Sequence, residues 1–258
     1  MKACREVGLE PSTVVELRHQ TNGVYLLSDE MLVAKVARPE YGIEHTKRTV
    51  TTVRWIMEMK FPTAPLADFD QPIVIEGSAV TFWTYLAQDR PVRAVDLAAP
   101  LRQLHSLGRP PAAIPPLDAI PAIWYSIENE SILTGDEHEY LAARCTYLAD
   151  AHGLRSEQPS SLLQGDPQHA NALWNTDHAV LSDWDSLVTG PVEWDLVTID
   201  VHCRRFGYPP SEYAEFSATY GRDIRQWSGY QTLVALVLAS SRASDSRGCR
   251  LRATSTTS

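Results

Sequence analysis

The sequence predicts an α+β protein of two lobes: a small antiparallel-sheet lobe with one helix, followed by a larger, mainly helical lobe. Three observations carry that expectation. Short β-rich runs separated by turn residues fill most of the first ninety residues, around a single helical pattern. After Leu86 the pattern changes to helices divided by proline-rich connectors. At roughly 150 residues per domain, the chain of 258 residues allows one large domain or two lobes built around a shared cleft.

The elements follow in order. Val14–Leu17, Gly23–Leu27 and Met31–Ala37 are β-rich runs parted by Thr21-Asn22-Gly23 and Ser28-Asp29-Glu30, which reads as an antiparallel meander. From Ile43 to Met59 no proline or glycine intervenes, and apolar residues recur at near-helical spacing, so a helix is predicted that stops before Pro62. Ile73–Ile75, the turn Glu76-Gly77-Ser78 and Ala79–Leu86 read as a hairpin. Val92–Leu107 is a predicted helix that Pro100 either kinks or starts. Pro110–Pro121 is too rich in proline for anything but an extended connector. Asp136–His152 is a helix closed by Gly153. Ala172–Trp174 and Ala179–Ser182 form a short β patch about Asn175-Thr176-Asp177, and helices are predicted at Val192–Arg205 and Ser211–Tyr220. From Ala239 to Ser258, Leu251 is the one large aliphatic residue among serines, arginines and threonines, so a disordered tail is expected.

Composition excludes several classes. Apolar residues at 44% and charged residues at 21% suit a globular protein. No apolar run reaches the roughly 18 residues of a membrane span. Because MKACREVGLEPST resembles no signal peptide, the expected compartment is the cytoplasm. A net charge of −9 disfavours a nucleic-acid partner, whose phosphates need a basic face. Cys4, Cys145, Cys203 and Cys249 form no metal or disulfide spacing and read as ordinary thiols. The histidines do not cluster at ligand spacing.

The chemistry-bearing stretch is LLQGDPQHANALW, residues 162–174, followed by AVLSDWDSLVTGPVEWDL, residues 179–196. Asn171 follows Asp166 by five residues, and Asp183 follows beyond a short hairpin. Phosphoryl transfer asks little covalent chemistry of a protein. It needs an acid group to orient the attacking hydroxyl, and oxygen ligands to hold Mg²⁺ against the nucleotide phosphates.

With those residues in register, the chain resembles the aminoglycoside phosphotransferase and choline kinase-like family, relatives of the protein kinases. Their catalytic loop reads H-G-D-x-x-x-x-N and their metal motif I-D-[FW]-[DE]. The resemblance spans about Thr21 to Tyr230 and implies a two-lobed protein-kinase-like fold. By position, it makes Asp166 the catalytic base, and Asn171 and Asp183 the Mg²⁺ ligands. Asp185 stands where the family often has a second acid, either assisting the metal or hydrogen-bonding nearby. GPVEWDL matches a family motif whose aspartate, here Asp195, braces the catalytic loop. Lys35 in MLVAKVARP corresponds to the third-strand lysine that binds the nucleotide phosphates, with Glu44 as its ion-pair partner. Ala79–Leu86 resembles the last strand and hinge, and RQLHSLG, residues 102–108, a helix end common in the family. The chain departs from the pattern at Gln164, where histidine is usual. It also has no G-x-G-x-x-G, Thr21-Asn22-Gly23 being the one candidate phosphate loop. Beyond Tyr230, where the family continues into another helical segment, this chain turns into its Ser/Arg/Thr tail.

The resemblance thus implies an enzyme using ATP and Mg²⁺ to phosphorylate a small-molecule acceptor with a hydroxyl group, an aminoglycoside or other antibiotic among the candidates. Residues 1–86 would form the nucleotide-binding lobe, 87–238 the catalytic and acceptor lobe, and 239–258 a disordered or aberrant tail. Two other readings stay open: a degenerate kinase-like protein that binds nucleotide or a partner without turnover, and a metal-dependent phosphohydrolase using Asp166, Asp183 and Asp185. His169 is expected to be exposed, and Trp174, Trp184 and Trp194 to be core residues. Glu128, Glu130, Asp136, Glu137 and Glu139 either line a pocket for a polyamine-like acceptor or mark a solvated helix start.

Overall fold

The short β-rich runs of the first lobe pair into a five-stranded antiparallel sheet. The computed structural model describes residues 2–19, 22–38, 42–129, 134–152 and 160–240. Strands β1 (Val14–His19), β2 (Gly23–Leu27), β3 (Leu32–Val36), β4 (Ile73–Ile75) and β5 (Ser78–Thr84) lie in the order β1-β2-β3-β5-β4. Residues opposed across a ladder share a face. One face therefore carries the rows Arg18, Val24, Lys35, Thr81 and Val15, Leu26, Val33, Trp83. The other carries Tyr25, Leu27, Ala34, Val36, Val80 and Phe82.

Helix α1 (Lys2–Glu6), which no periodicity predicted, covers that second face by burying Ala3 and Cys4. Helix α2 (Gly42–Glu58) matches the expected helix. It buries Val50, Val53 and Ile56, together with Thr49 and Thr52, whose hydroxyls donate to the carbonyls of His45 and Arg48. Thus satisfied, the threonines join a buried face without leaving a polar atom unpaired.

The second lobe is mainly helical: α3 (Ala94–Ser106), α4 (Ile120–Asn129), α5 (Gly135–His152), α6 (Glu193–Arg205), α7 (Pro210–Tyr220) and α8, residues 230–240. Pro100 lies inside α3, which begins at Ala94, so it does not mark the start of the helix. The connector expected to run to Pro121 ends sooner, because α4 opens at Ile120 with Pro121 in its first turn, where a missing N–H costs nothing. Within the connector, Leu117 N donates to Thr189 O at 2.7 Å and Thr189 N to Pro115 O at 2.9 Å. The connector thereby joins the two-stranded sheet of β6 (Ser161–Leu163) and β9 (Val188–Gly190), strands too short to be read from sequence. The β patch appears as the hairpin β7 (Ala172–Asn175) and β8 (His178–Leu181).

The expected tail also starts too early. Ala239 and Ser240 belong to α8, which buries Leu233, Val234, Leu236 and Val237, so a helical segment does follow Tyr230. Residues 241–258, like Thr21, Glu40, Glu130 and Gly153, lie outside the described residues. The thiols of Cys4, Cys145 and Cys203 are free, as expected. No helix among the described residues is long and apolar enough to cross a membrane.

Candidate active site

The loop from Gln164 to Asn171 hangs between β6 and β7, and buried hydrogen bonds fix its entrance. Asp195, at the start of α6 and fully buried, accepts from Gln164 N at 2.9 Å and Gly165 N at 3.0 Å. Its Oδ2 also lies 3.1 Å from His105 Nε2, and His105 Nδ1 meets Tyr220 Oη at 2.9 Å. Trp194 Nε1 donates to Gly165 O at 2.8 Å. Gly165 has φ +86°, and a Cβ there would stand 2.0 Å from Ser186 O. Only glycine fits so close an approach in that conformation.

Gln164 occupies the position where histidine is usual and still ties the loops together. Its Nε2 donates to Ser182 O at 3.1 Å and Asp183 O at 3.0 Å, while its Oε1 accepts from Asp166 N at 2.8 Å. A neutral amide with one donor group and one acceptor thus bridges the Asp166 and Asp183 segments. Ser182 N donates to Asn171 O at 2.8 Å and adds a second tie.

Asp166 sits within this frame. Its Oδ2 accepts from Gln168 Nε2 at 2.8 Å and Asn171 Nδ2 at 3.2 Å. Burial raises its pKa from the ordinary value to about 6, with help from the negative charge of Asp183 and against those two hydrogen bonds. Asp183 has the left-handed φ of 52° and begins a short helical turn. Burial works to raise its pKa, but Lys35 outweighs it and the net shift is downward, with Arg18 adding a smaller positive contribution.

Lys35 crosses from the sheet to this loop. Its Nζ lies 2.7 Å from Asp183 Oδ1 and 2.9 Å from Asp185 Oδ1. Desolvation opposes its charge, yet the two carboxylates hold its pKa above the ordinary lysine value. Asn22, the buried member of the expected phosphate loop, donates from Nδ2 to Asp185 Oδ2 at 2.5 Å and accepts from Arg38 N at 3.3 Å. Beside the charged row on the same face, Val15, Leu26, Val33 and Trp83 form an apolar row toward the inter-lobe connection after Thr84.

The structure thus brings Lys35, Asp183, Asp166 and Asn171 together, but not Glu44. Glu44 is exposed and pairs with Lys47 at 2.8 Å, one turn along its own helix. The next residue of α2, His45, interacts with Asp185; burial lowers its pKa. His169 is not exposed as expected. Its Nε2 meets buried Glu212 at 3.2 Å, and its ring stacks on Tyr208 at 4.2 Å. Glu212 in turn accepts from Ala94 N at 2.6 Å, so the loop is moored to the starts of α3 and α7. Trp184 and Trp194 are core residues as expected, whereas Trp174 is half-buried beneath the Arg90 guanidinium, 3.7 Å from its ring centre. Of the acidic group near α5, Glu137 caps the helix by accepting from Thr134 N and Oγ1 at 2.9 and 2.8 Å, and Asp136 and Glu139 are exposed. That favours a solvated helix start. Gln168 carried a weak signal in its place two residues after Asp166; Asn22 was marked as part of the candidate phosphate loop, but nothing local marked its bond to Asp185 or that of His169 to Glu212.

Hard oxygen donors suit Mg²⁺, which commonly takes one or two carboxylates and fills its shell with phosphate and water. Asp183, Asp185 and the amide oxygen of Asn171 are such a set, and Asn171 turns its Nδ2 away to Asp166 O at 2.9 Å. No group of three or more His, Cys, Asp or Glu side chains among the described residues forms a metal cage.

Comparison with known proteins places the chain in a family and a fold. The profile of the phosphotransferase enzyme family matches residues 13–231. No curated protein matches the chain. Among solved structures, the complex of aminoglycoside phosphotransferase APH(3'')-Id from Streptomyces rimosus with ADP and streptomycin superposes with a TM-score of 0.71 at 15% identity, over 94% of this chain and 96% of that one. Amicoumacin kinase hAmiN, bound to AMP-PNP, Ca²⁺ and Ami, gives 0.71 at 16% identity over 91% and 80%. A choline/ethanolamine kinase family protein from Mesorhizobium loti gives 0.66 at 16% over 99% and 94%. At such identities the likeness is one of fold.

Proposed function

Because the chain belongs to the phosphotransferase enzyme family, we propose that it is an ATP- and Mg²⁺-dependent enzyme that moves the γ-phosphate to a hydroxyl of a small molecule. The observation that carries the reading is one constellation. A half-buried carboxylate with its pKa raised to about 6, Asp166, stands in the loop tied to Asp183, which a lysine from the opposite lobe reaches at 2.7 Å.

Each residue then has a task. The apolar row of Val15, Leu26, Val33 and Trp83 receives the base. Lys35 neutralises phosphate charge, and Asn171 and Asp183 hold Mg²⁺, with Asp185 beside them. The metal, when bound, supplies positive charge to the phosphate oxygens. Asp166 accepts a hydrogen bond from the acceptor hydroxyl and aligns it for in-line attack. The acceptor oxygen–phosphorus bond forms, the bond from phosphorus to the β–γ bridging oxygen breaks, ADP leaves, and the acceptor proton passes to Asp166. Because the acid form of Asp166 is lost only near pH 6, the base is mostly ionised at neutral pH yet retains useful proton affinity. The aminoglycoside phosphotransferase and amicoumacin kinase folds support a hydroxyl-rich antibiotic as acceptor, and the choline/ethanolamine kinase fold an amino alcohol. The reading puts the enzyme in the cytoplasm with its ATP.

The test is thermal unfolding of the purified chain with and without Mg²⁺ and ATP. Saturation near 100 times Kd stabilises by about 2.7 kcal/mol, raising Tm by about 2–4 °C for a domain of this size. The shift should require Mg²⁺ and vanish in Asp183→Asn. ATP consumption should then depend on an added acceptor; phosphate release without one indicates the hydrolase instead. The exposed position of Glu44 favours one second reading, nucleotide binding without turnover. A magnesium-dependent shift with no transfer across a panel of aminoglycosides and amino alcohols would establish it.

A further inference from the structure

The chemistry described so far uses one face of the five-stranded sheet. Behind the other face lies a cavity of about 560 Å³, within the range that accommodates small organic ligands. Register separates it from the nucleotide cleft. Its floor contains Ala34 and Val36, which point away from the face that carries Lys35, and Tyr25, Leu27, Val80 and Phe82 beside them. Ala3 and Cys4 of α1 form the roof.

Its chemistry defines the occupant. The walls are aliphatic and aromatic, and the polar groups they offer are the Tyr25 phenol, the Ser78 hydroxyl and the free Cys4 thiol. The charges at the rim, Lys2 and Glu76, are paired with each other, so no unpaired charge among the lining residues calls for an ionic ligand. The roof is a helix of five residues, too short to persist without the contacts that hold it down.

We infer that this cavity is a second ligand site, for a small, neutral, largely apolar molecule with one hydrogen-bonding group, and that its occupancy acts on the nucleotide site through β3. Ala34 and Val36 flank Lys35 on the strand, so a ligand bearing on them fixes the backbone that aims the ammonium group. The binding part stands independently; the coupling rests on the function proposed above.

The probe is N-phenyl-1-naphthylamine, a neutral fluorophore that brightens in apolar surroundings, titrated into the full chain. Saturable one-to-one binding is expected, at least tenfold weaker in Ala34→Phe and in Ala3→Phe, which fill the cavity from floor and roof. Val74→Phe, on the opposite face, should bind as wild type does. Bound probe should also slow alkylation of Cys4 by N-ethylmaleimide at least threefold, read by peptide mass spectrometry, a measurement that needs no variant. Non-saturable binding, unchanged affinity in folded filling variants, or unprotected Cys4 overturns the site. Saturating probe should change the Kd of Mg²⁺·ATP at least threefold, and an unchanged Kd overturns the coupling. Should wild type bind no Mg²⁺·ATP at all, the proposed kinase function and the coupling both fall, and the probe titration alone decides the site.

Discussion

At Gly165 the backbone takes φ +86° and passes so close to Ser186 that a Cβ would meet its carbonyl oxygen at 2.0 Å. Gly165→Ala should destabilise the protein by about 2–4 kcal/mol, combining left-handed strain with the clash, as urea unfolding would show. Asp166 gives two further expectations. As the acceptor's base it must be ionised, so kcat/KM should fall about tenfold per pH unit below a midpoint near pH 6, and Asp166→Asn should lower kcat by about 10²–10⁴-fold. Its effect on stability has the opposite sense. The folded pKa of about 6 exceeds the ordinary 3.8, so the fold disfavours the charged form. The penalty is absent below pH 4, grows between pH 4 and 6, and is complete above. Asp166→Asn should therefore be more stable than wild type at pH 7.5, by about 1–3 kcal/mol, and no more stable at pH 4. At this scale the sequence was legible where spacing is short and fixed. Asp166, Asn171 and Asp183 share one loop and hairpin, so their order along the chain nearly determines their meeting. His169 was misread because its partners, Glu212 of α7 and Tyr208 of the loop before it, come some forty residues on.

Among the elements, α2 shows how a helix can be predicted correctly and its facing residues misjudged. Its buried side combines Val50, Val53 and Ile56 with Thr46, Thr49 and Thr52. Threonines at those positions give no apolar signal, so the helical phase stays loose enough to exchange Glu44 for His45. Because Glu44 makes its contact with Lys47 in solvent, Glu44→Gln should change the Kd for Mg²⁺·ATP by less than about twofold, since an exposed ion pair contributes little, whereas Lys35→Ala should abolish nucleotide binding. Binding measured by calorimetry on both variants separates the roles. The elements that escaped notice, α1, β6 and β9, are too short for periodicity to register. Helix α4 escaped because Pro121 in its first turn reads equally well as connector.

For the molecule as a whole, one apolar cluster joins α2 and the segment around Phe61 and Leu66 to α3, α6 and α8. The segment following α2 also runs along β8, with Ala64 N donating to Leu181 O at 2.8 Å and Trp184 Nε1 to Thr63 Oγ1 at 2.9 Å. The core therefore crosses the expected boundary near residue 86. We expect one cooperative thermal transition, with calorimetric and van't Hoff enthalpies in agreement, and no independent folding of residues 1–86. The two-lobed arrangement was legible because it follows from the change of pattern after Leu86, while the continuity of the core depends on which helix faces meet.

The lysine bridge to Asp183 and Asp185 makes ligand uptake an exchange of partners. Free ATP entering alone would bring its negative charge against two carboxylates, and a lone divalent cation would face the ammonium group already lodged between them. Arriving together, the phosphates take the lysine and the cation takes the carboxylates, so every charge trades one counterion for another. Nucleotide and metal should consequently bind with strong positive interdependence, each weak by itself.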